Sequence, residues 1–407
     1  MHRILGLVAV SLLALGACSS PVPETDAVLY EGARLIVGDG SAAIENAAFV
    51  VENGHFLEVG AVGEIEAPSG APRVDLTGMT VMPTIIDTHV HTNTEREALI
   101  ADLRGRPYWG VSAVMSLGRD AEESAIEIRN NDIPGAARFR TAGVGITGPE
   151  PGRTEIPYWV TTEEEARQAV REQAARGVDI IKIWVDNRGG TVEKLPLELG
   201  AAVIDEAHKV DQRVTAHIFD LADAKALLSA DIDSFAHGIR DTDVDDEIIA
   251  LFKERPDFVL VPNLPGRGVP TDLSWLSAAL SAEEMERLQA SNVENPGSQA
   301  AFAIQARNLA RVNDEGVTIA LGSDGNSAWA PHVEMEDMAI SGMTPAEVIV
   351  AATKNGAEFL RLDDVGTIET GKRADFIVLE ANPLEDITNT RKIDAVYLAG
   401  RQVDRGE

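Results

Sequence analysis

Two histidines separated by one residue, His89 and His91, follow the strongly apolar residues 81–88. Successive side chains of a β-strand point to opposite faces, so residues two apart share a face. Two imidazoles placed in this way can bind one metal ion. Four further candidate ligands stand at or near the ends of separate strand-like segments: Lys182, His217, His237 and Asp324. Any one of the histidines alone would more often be structural, but the ordered set predicts a metal centre.

The segments that carry these residues alternate with helical patterns, which is typical of βα units around a parallel sheet. Capping-box sequences mark helix starts at Thr162, Ser281 and Thr344. The predicted strands cover residues 81–87, 111–116, 139–146, 179–184, 213–217, 233–237, 258–262 and 318–323. Eight strands with intervening helices predict an α/β fold of the (β/α)8 TIM-barrel type, whose active site lies at the carboxyl ends of the strands.

Both ends of the chain are rich in β-strand patterns and too small to fold alone. We therefore expect residues 27–78 and 365–407 to form one small β-sandwich domain, and residues 79–364 to form the barrel. Residues 1–17 resemble a signal peptide of the lipoprotein type, and residues 18–26 a tether. Cys18 would then be the lipidated residue, which places the protein in the bacterial cell envelope, facing the periplasm. The alternative is an ordinary signal peptide followed by a stray cysteine.

The chain of 407 residues has 35 basic and 66 acidic residues, a net charge of −31. Such a charge disfavours binding to nucleic acid and to anionic membrane surfaces, so the only membrane contact we expect is the lipid anchor. Cys18 is the only cysteine, so the chain cannot form an internal disulfide. A metal in the barrel must therefore be bound through nitrogen and oxygen. Oligomeric state is left open.

Lys182 lies in an otherwise apolar strand, where a charged amine is costly unless it is paired or deprotonated. One interpretation is an ion pair with Asp324, or a side chain extending to the barrel mouth. The other is that the neutral amine takes up carbon dioxide and becomes N6-carboxylysine, whose anionic oxygens can bridge two metal ions. Arginine cannot do this, since it stays protonated.

The sequence resembles the metal-dependent amidohydrolase superfamily, in its imidazolonepropionase-like and Xaa-Pro dipeptidase-like branch. The resemblance covers almost the whole chain after the signal segment. It rests on Val81–His91 and on the C-terminal motifs Gly342–Pro345, Ala351–Thr353, Asn355–Ala357 and Gly366–Asp375. Thr84 stands where the family usually has glycine, for which we expect a local packing change without loss of a ligand.

The resemblance implies two divalent ions, with zinc the expected metal, and a hydroxide bridging them. His89, His91 and Asp324 would bind one ion, His217 and His237 the other, and carboxylated Lys182 would bridge the pair. Asp324 would also be the catalytic residue that transfers the proton to the leaving nitrogen. Single-metal deaminases of the superfamily lack this lysine.

Substrate contacts follow less directly from the pattern. Five residues stand in or near loops at the expected mouth and are predicted to contact substrate: Arg240, Trp184, Arg188, Asn263 and His332. A loop guanidinium could clamp a carboxylate, although a solvated loop arginine explains the same pattern. The predicted function is hydrolysis of a C–N bond in a small-molecule amide, a dipeptide or N-acyl amino acid. The alternatives are a cyclic-amide or lactone hydrolase on the same site, and a non-catalytic metal-binding envelope lipoprotein.

Overall fold

The computed structural model describes residues 26–153 and 155–406. The predicted signal peptide, Cys18 and most of the tether lie outside these residues, so lipidation and envelope localisation stay predictions. No helix in the described part of the chain is long and apolar enough to span a membrane.

The strands are β1 Val28–Leu35, β2 Ile44–Glu52, β3 His55–Ala61, β4 Arg73–Asp75, β5 Thr80–Pro83, β6 Ile85–Val90, β7 Val111–Ser116, β8 Arg138–Thr141, β9 Ile146–Thr147, β10 Tyr158–Trp159, β11 Ile181–Trp184, β12 Val214–His217, β13 Ser234–Ala236, β14 Val259–Val261, β15 Thr318–Ile319, β16 Phe376–Leu379, β17 Ile393–Leu398 and β18 Arg401–Gln402. The helices are α1 Arg96–Gly105, α2 Glu123–Asn130, α3 Glu163–Arg176, α4 Leu197–Lys209, α5 Leu221–Ser229, α6 Asp246–Lys253, α7 Ala282–Ser291, α8 Pro296–Asp314, α9 Ala330–Ile340, α10 Pro345–Ala352 and α11 Lys354–Phe359. Capping boxes begin α3, α7 and α10 at the three predicted residues.

Strands from both ends of the chain form one mixed sheet in the order β18-β17-β16-β5-β1-β2-β3, with β4 paired to β1. Its core is aromatic: Tyr30 and Phe49 stack with ring centres 4.9 Å apart, and Phe376 packs edge-on against both. This joint sheet is consistent with the predicted sandwich. The predicted domain limits stay predictions.

The remaining strands are parallel and alternate with helices, as predicted for the barrel class. They form two groups, β6-β7-β8 and β10-β9-β11-β12-β13-β14-β15. Backbone hydrogen bonds connect the groups on both sides: Asp179 N donates to Thr141 O at 2.9 Å, and Thr88 N donates to Leu321 O at 2.9 Å. The carboxyl ends of β6 and β15 therefore lie side by side, although these ends, Val90 and Ile319, are 229 positions apart in the sequence.

Two segments that were each predicted as a single strand are divided in the structure. The segment predicted as one strand at 81–87 is divided at Thr84, with β5 in the mixed sheet and β6 in the barrel. Pro83 has no N–H for a further sheet bond, and Ile85 N donates instead to Gly110 O at 2.9 Å. Strand β6 extends to Val90, so His89 lies inside it. The predicted strand 139–146 is interrupted by a turn in which Gly143 adopts a φ of +58°.

The side chain of Thr84, at the position where the family usually has glycine, is buried and its hydroxyl donates to Ser112 Oγ at 2.6 Å. A glycine could not make this hydrogen bond, and the packing change expected from the sequence stays a prediction.

Candidate metal centre

The six predicted ligands meet at the carboxyl ends of the barrel strands. His89 lies in β6, with His91 directly after it; Lys182 lies in β11; and His217 ends β12. His237 follows β13 directly, and Asp324 lies in the loop after β15.

The carboxylate of Asp324 is at the centre of this group. Its Oδ1 atom lies 3.2 Å from His89 Nε2 and 3.0 Å from His91 Nε2, while Oδ2 lies 3.5 Å from His237 Nε2. Ligand atoms of His89, His237 and Asp324 all lie within 4.8 Å of one another, a spacing that suits a shared metal ion. The ring of His217 is 4.4 Å from the ring of His237, centre to centre.

Several nitrogen atoms of this group are buried and have no hydrogen-bond partner among the described residues. They are His89 Nε2, His91 Nδ1, both ring nitrogens of His237, and Lys182 Nζ. A buried polar atom without a partner costs about 1–3 kcal/mol. The unpartnered nitrogens of His89, His237 and Lys182 around one carboxylate are explained if metal ions occupy the space between these side chains, so the residues present fit a metal centre.

The protonation states suit metal binding. Burial lowers the pKa of His89, His217 and His237 well below the usual value, and the positive field of Lys182 lowers each of them further. These imidazoles are therefore neutral, the form that coordinates metals. Burial alone would raise the pKa of Asp324, but its hydrogen bond with His91 holds that pKa below the usual range.

Lys182 is fully buried, and its amine makes no ion pair with any described residue. Burial lowers its pKa to about 7, although Asp324 acts in the opposite direction. Asp324 thus influences the amine only through its field. The direct ion pair with Asp324, which was one of the alternative interpretations of Lys182, is not formed among the described residues.

Hydrogen bonds connect the end of β6 to the loop that follows β15. Asp324 N donates to His89 O at 2.7 Å, and the buried carboxylate of Asp87 accepts from Ser323 N at 2.9 Å and from Ser323 Oγ at 2.6 Å. Asp324 and His237 have φ angles of +52° and +76°. Asp and His tolerate this left-handed conformation better than most residues, and here it turns their side chains at the strand ends.

Asn263, predicted to contact substrate, lies behind His89. Its Oδ1 atom accepts from His89 Nδ1 at 2.8 Å and from His237 N at 3.2 Å. The first bond fixes the proton of His89 on Nδ1 and leaves Nε2 free towards Asp324. These contacts favour a role for Asn263 in orienting His89 as a metal ligand.

We expect Asn263→Ala to weaken metal binding about 10- to 100-fold, because outer partners that orient a ligating histidine have effects of this size. Competition with a chromogenic chelator measures the affinity. Asn263→Asp keeps an acceptor oxygen and should retain most of the metal affinity. The exposed Asn131→Ala is the control. Equal affinity in Asn263→Ala and wild type would rule out this orienting role.

Two carboxylates that the sequence analysis did not predict, Asp186 and Glu150, hold Arg188 between them. Arg188 Nη1 lies 2.9 Å from Asp186 Oδ2, and Nε lies 3.1 Å from Glu150 Oε1. Nη1 is also 3.4 Å from His217 Nε2, which lies 3.3 Å from Asp186. Asp186 follows Lys182 and Trp184 at the same two-residue spacing, a signal that could have identified it. Glu150 lies in a loop and has no such signal.

The other predicted substrate contacts lie in different settings. Trp184 is buried beside Gly118 and Gly145, where an added Cβ would lie 2.5 and 2.3 Å from its ring. The Arg240 guanidinium lies 3.3 Å from the centre of the Phe219 ring, and it makes no side-chain hydrogen bond or ion pair within residues 26–153 and 155–406. The Phe219 ring is in turn 4.5 Å from the ring of His217.

His332 lies in the first turn of α9, where both of its ring nitrogens are engaged. Nδ1 is 3.0 Å from Thr390 Oγ1, and Nε2 is 3.0 Å from Trp109 O. The ring is buried between Trp109 and Trp275. These contacts favour a structural role at the junction with the C-terminal segment.

A parallel-stranded α/β barrel with neutral histidines around a carboxylate at its mouth has the architecture of a metal-dependent enzyme. Comparison with known proteins agrees. A model of the amidohydrolase family matches residues 80–403. The chain is 27% identical to the imidazolonepropionase of Mycolicibacterium smegmatis over 83% of its own length and 85% of that protein. It is also 27% identical to the ochratoxinase of Aspergillus niger, over 88% and 82%.

Among solved structures, a candidate prolidase from Bifidobacterium longum superimposes with a TM-score of 0.76 at 26% identity, covering 94% of this chain and 95% of that one. The protein belongs to the amidohydrolase family. It is therefore an enzyme of a class that acts on C–N bonds.

Proposed function

We propose that the protein is a binuclear metal-dependent amidohydrolase that cleaves the amide bond of a dipeptide or an N-acyl amino acid. The main supporting observation is the group of buried, unpartnered nitrogen atoms of His89, His237 and Lys182 around Asp324, whose carboxylate also lies 3.0 Å from His91 Nε2. The resemblance to prolidase-like and other amidohydrolases supports the reaction class.

Two divalent ions, zinc being the metal we propose, would share these ligands. His89 and His91 face Oδ1 of Asp324 and would hold the first ion with it, whereas His237 faces Oδ2 and would hold the second. His217 would join His237 at the second ion. Its Nε2 atom would exchange its contacts with Asp186 and Arg188 for the metal. Bound ions of this kind lower the pKa of water and polarise a carbonyl group.

Lys182 would be carboxylated. A neutral amine that attacks carbon dioxide forms an N–C bond and releases one proton, which yields a carbamate anion. Full burial without a partner favours this reaction, because the amine has no hydrogen bond to give up. The carbamate would place an anionic oxygen ligand among the neutral imidazoles.

The proton transfers fall to Asp324. Its carboxylate would accept a proton from the attacking water as the new C–O bond forms. It would then pass this proton to the nitrogen as the C–N bond breaks, so that an amine and a carboxylic acid leave. Its two oxygens lie close to three imidazoles, which fixes the carboxylate at the centre of the site.

Arg240 would bind the carboxylate of the substrate. The guanidinium is held by the face of Phe219 and keeps its hydrogen-bonding edge free within the described part of the chain. We expect Arg240→Gln to raise KM for an N-acyl amino acid about 10- to 100-fold, because a charge-assisted hydrogen bond contributes about 1.5–3 kcal/mol. KM for the matching amide without a carboxylate should not change, and an equal rise for both substrates would contradict the assignment.

A panel assay tests the proposed reaction. Metal-loaded full-length protein is incubated with N-acyl amino acids, dipeptides, cyclic amides and lactones, and released amine and acid are quantified. We expect turnover of at least one linear amide. Turnover confined to rings would favour the cyclic-amide or lactone alternative, and bound metal without turnover of any compound would favour the non-catalytic envelope lipoprotein.

A further inference from the structure

A cavity of about 190 Å³ opens beside the metal ligands, next to His91. Its walls come from the loops that follow β7, β9 and β11, whereas Arg240 follows β13. Arg240, the proposed carboxylate clamp, is not among the residues that line this cavity.

The walls of this cavity are cationic in a strongly anionic chain. Arg119, Arg153 and Arg188 line it against one carboxylate, Glu150. The chain as a whole is acidic, with a net charge of −31. Three guanidinium groups gathered next to a catalytic centre indicate an anionic ligand.

Glu150 is already neutralised and buried. Arg153 Nη1 lies 2.5 Å from Oε2 and Arg188 Nε lies 3.1 Å from Oε1, while the Thr147 hydroxyl is 3.4 Å from Oε1. Both carboxylate oxygens therefore have charged partners. An incoming ammonium group would have to displace an arginine, so Glu150 does not make the cavity a cation site.

Arg119 is the unpaired cation of the cavity. The side chain is exposed and makes no hydrogen bond or ion pair with any residue in 26–153 or 155–406. The neighbouring carboxylate of Asp120 is turned inward, where it accepts hydrogen bonds from Ser116 and Thr141. The side chain of Arg153 is half exposed, and among the described residues only its Nη1 atom has a hydrogen-bonding partner. Together Arg119 and Arg153 offer free donors on the cavity wall.

The remaining wall of the cavity is apolar, which limits the kind of ligand that can bind. The Trp184 indole and Pro157 line the cavity as apolar surfaces, and Gly118 and Gly145 provide the room that the indole needs. A short aliphatic chain can pack on the indole while its charged end faces the arginines. The cavity size suits a chain of a few carbons.

We propose that this cavity binds a short carboxylate-bearing acyl group, so that the preferred substrates are amides of dicarboxylic acids such as N-succinyl or N-glutaryl compounds. This inference rests on the proposed amide hydrolysis for its substrate context. Arg119 and Arg153 would be the specificity-determining residues. Arg188 would be a positioning residue that holds Glu150 and, through it, Arg153.

A binding comparison tests the inference without turnover. Isothermal titration of the metal-loaded full-length protein is carried out with succinate, butanoate and β-alanine, which differ only at the end away from one shared carboxylate. We expect succinate to bind at least about tenfold more tightly than butanoate. Arg119→Gln and Arg153→Gln should remove this preference, and the exposed Arg287→Gln on α7 should keep it.

Equal binding of succinate and butanoate to the wild-type protein would overturn the proposal, as would tighter binding of β-alanine. A preference for succinate that survives both arginine substitutions would overturn it as well. The matching kinetic test compares the hydrolysis of N-succinyl amino acids with that of N-butanoyl amino acids. We expect the lower KM for the N-succinyl compounds. Absence of any amide hydrolysis would refute the proposed function, yet the succinate preference could still be measured.

Discussion

Asp324→Asn is expected to lower kcat about 100- to 10,000-fold while metal content stays close to that of the wild type. Asparagine keeps one oxygen among the three imidazoles that surround this position, so it preserves a ligand. It cannot accept the proton from water or return one to the leaving nitrogen. Positioned acid–base groups contribute rate factors of this size.

Steady-state kinetics and elemental analysis of the same preparation measure both quantities for Asp324→Asn. Asp246→Asn is the matched control, since that carboxylate is 99% exposed on α6. Unchanged turnover in Asp324→Asn would remove this residue from the chemistry. Loss of both metals would instead show that its main role is coordination.

Lys182→Ala is expected to lose metal and to lose more than about a hundredfold in kcat. Outer partners of metal ligands already contribute 10- to 100-fold, and the proposed carbamate is itself a ligand. Alanine leaves space at the fully buried position of the amine. Added acetate or propionate should therefore supply the missing carboxylate and restore part of the activity and the metal content.

Lys209→Ala, at an exposed lysine on α4, should behave as the wild type and show no response to these acids. Full activity of Lys182→Ala without an added acid would exclude a bridging carbamate. Restoration by acetate but not by chloride at equal ionic strength would separate ligand replacement from a salt effect.

The sequence contained enough information for the strand-end ligands because their signals are local. The spacing of His89 and His91 and the apolar runs before His217 and His237 need only strand alternation. The capping boxes of α3, α7 and α10 are likewise contained within four residues. These features do not depend on which distant segment packs against them.

The predictions differ from the structure where contacts with a distant segment of the chain determine the local structure. Whether residues 80–83 join the mixed sheet or the barrel depends on β16, nearly 300 residues later, which pairs with β5. Asn263 looked like a substrate contact, yet its amide oxygen lies against His89, which is 174 positions away. The contacts of Glu150 with Arg188 likewise form only after two loops meet at the barrel mouth.

Metal stoichiometry of the full-length protein shows whether the site binds two ions that hydrolysis requires. Elemental analysis is combined with the hydrolysis of the best linear amide before chelation, after chelation and after reloading with zinc. We expect about two divalent ions per chain, loss of turnover when these ions are removed, and return of turnover on reloading. Hydrolysis at the original rate by a metal-free chain would contradict this expectation, as would saturation at a single ion with full activity.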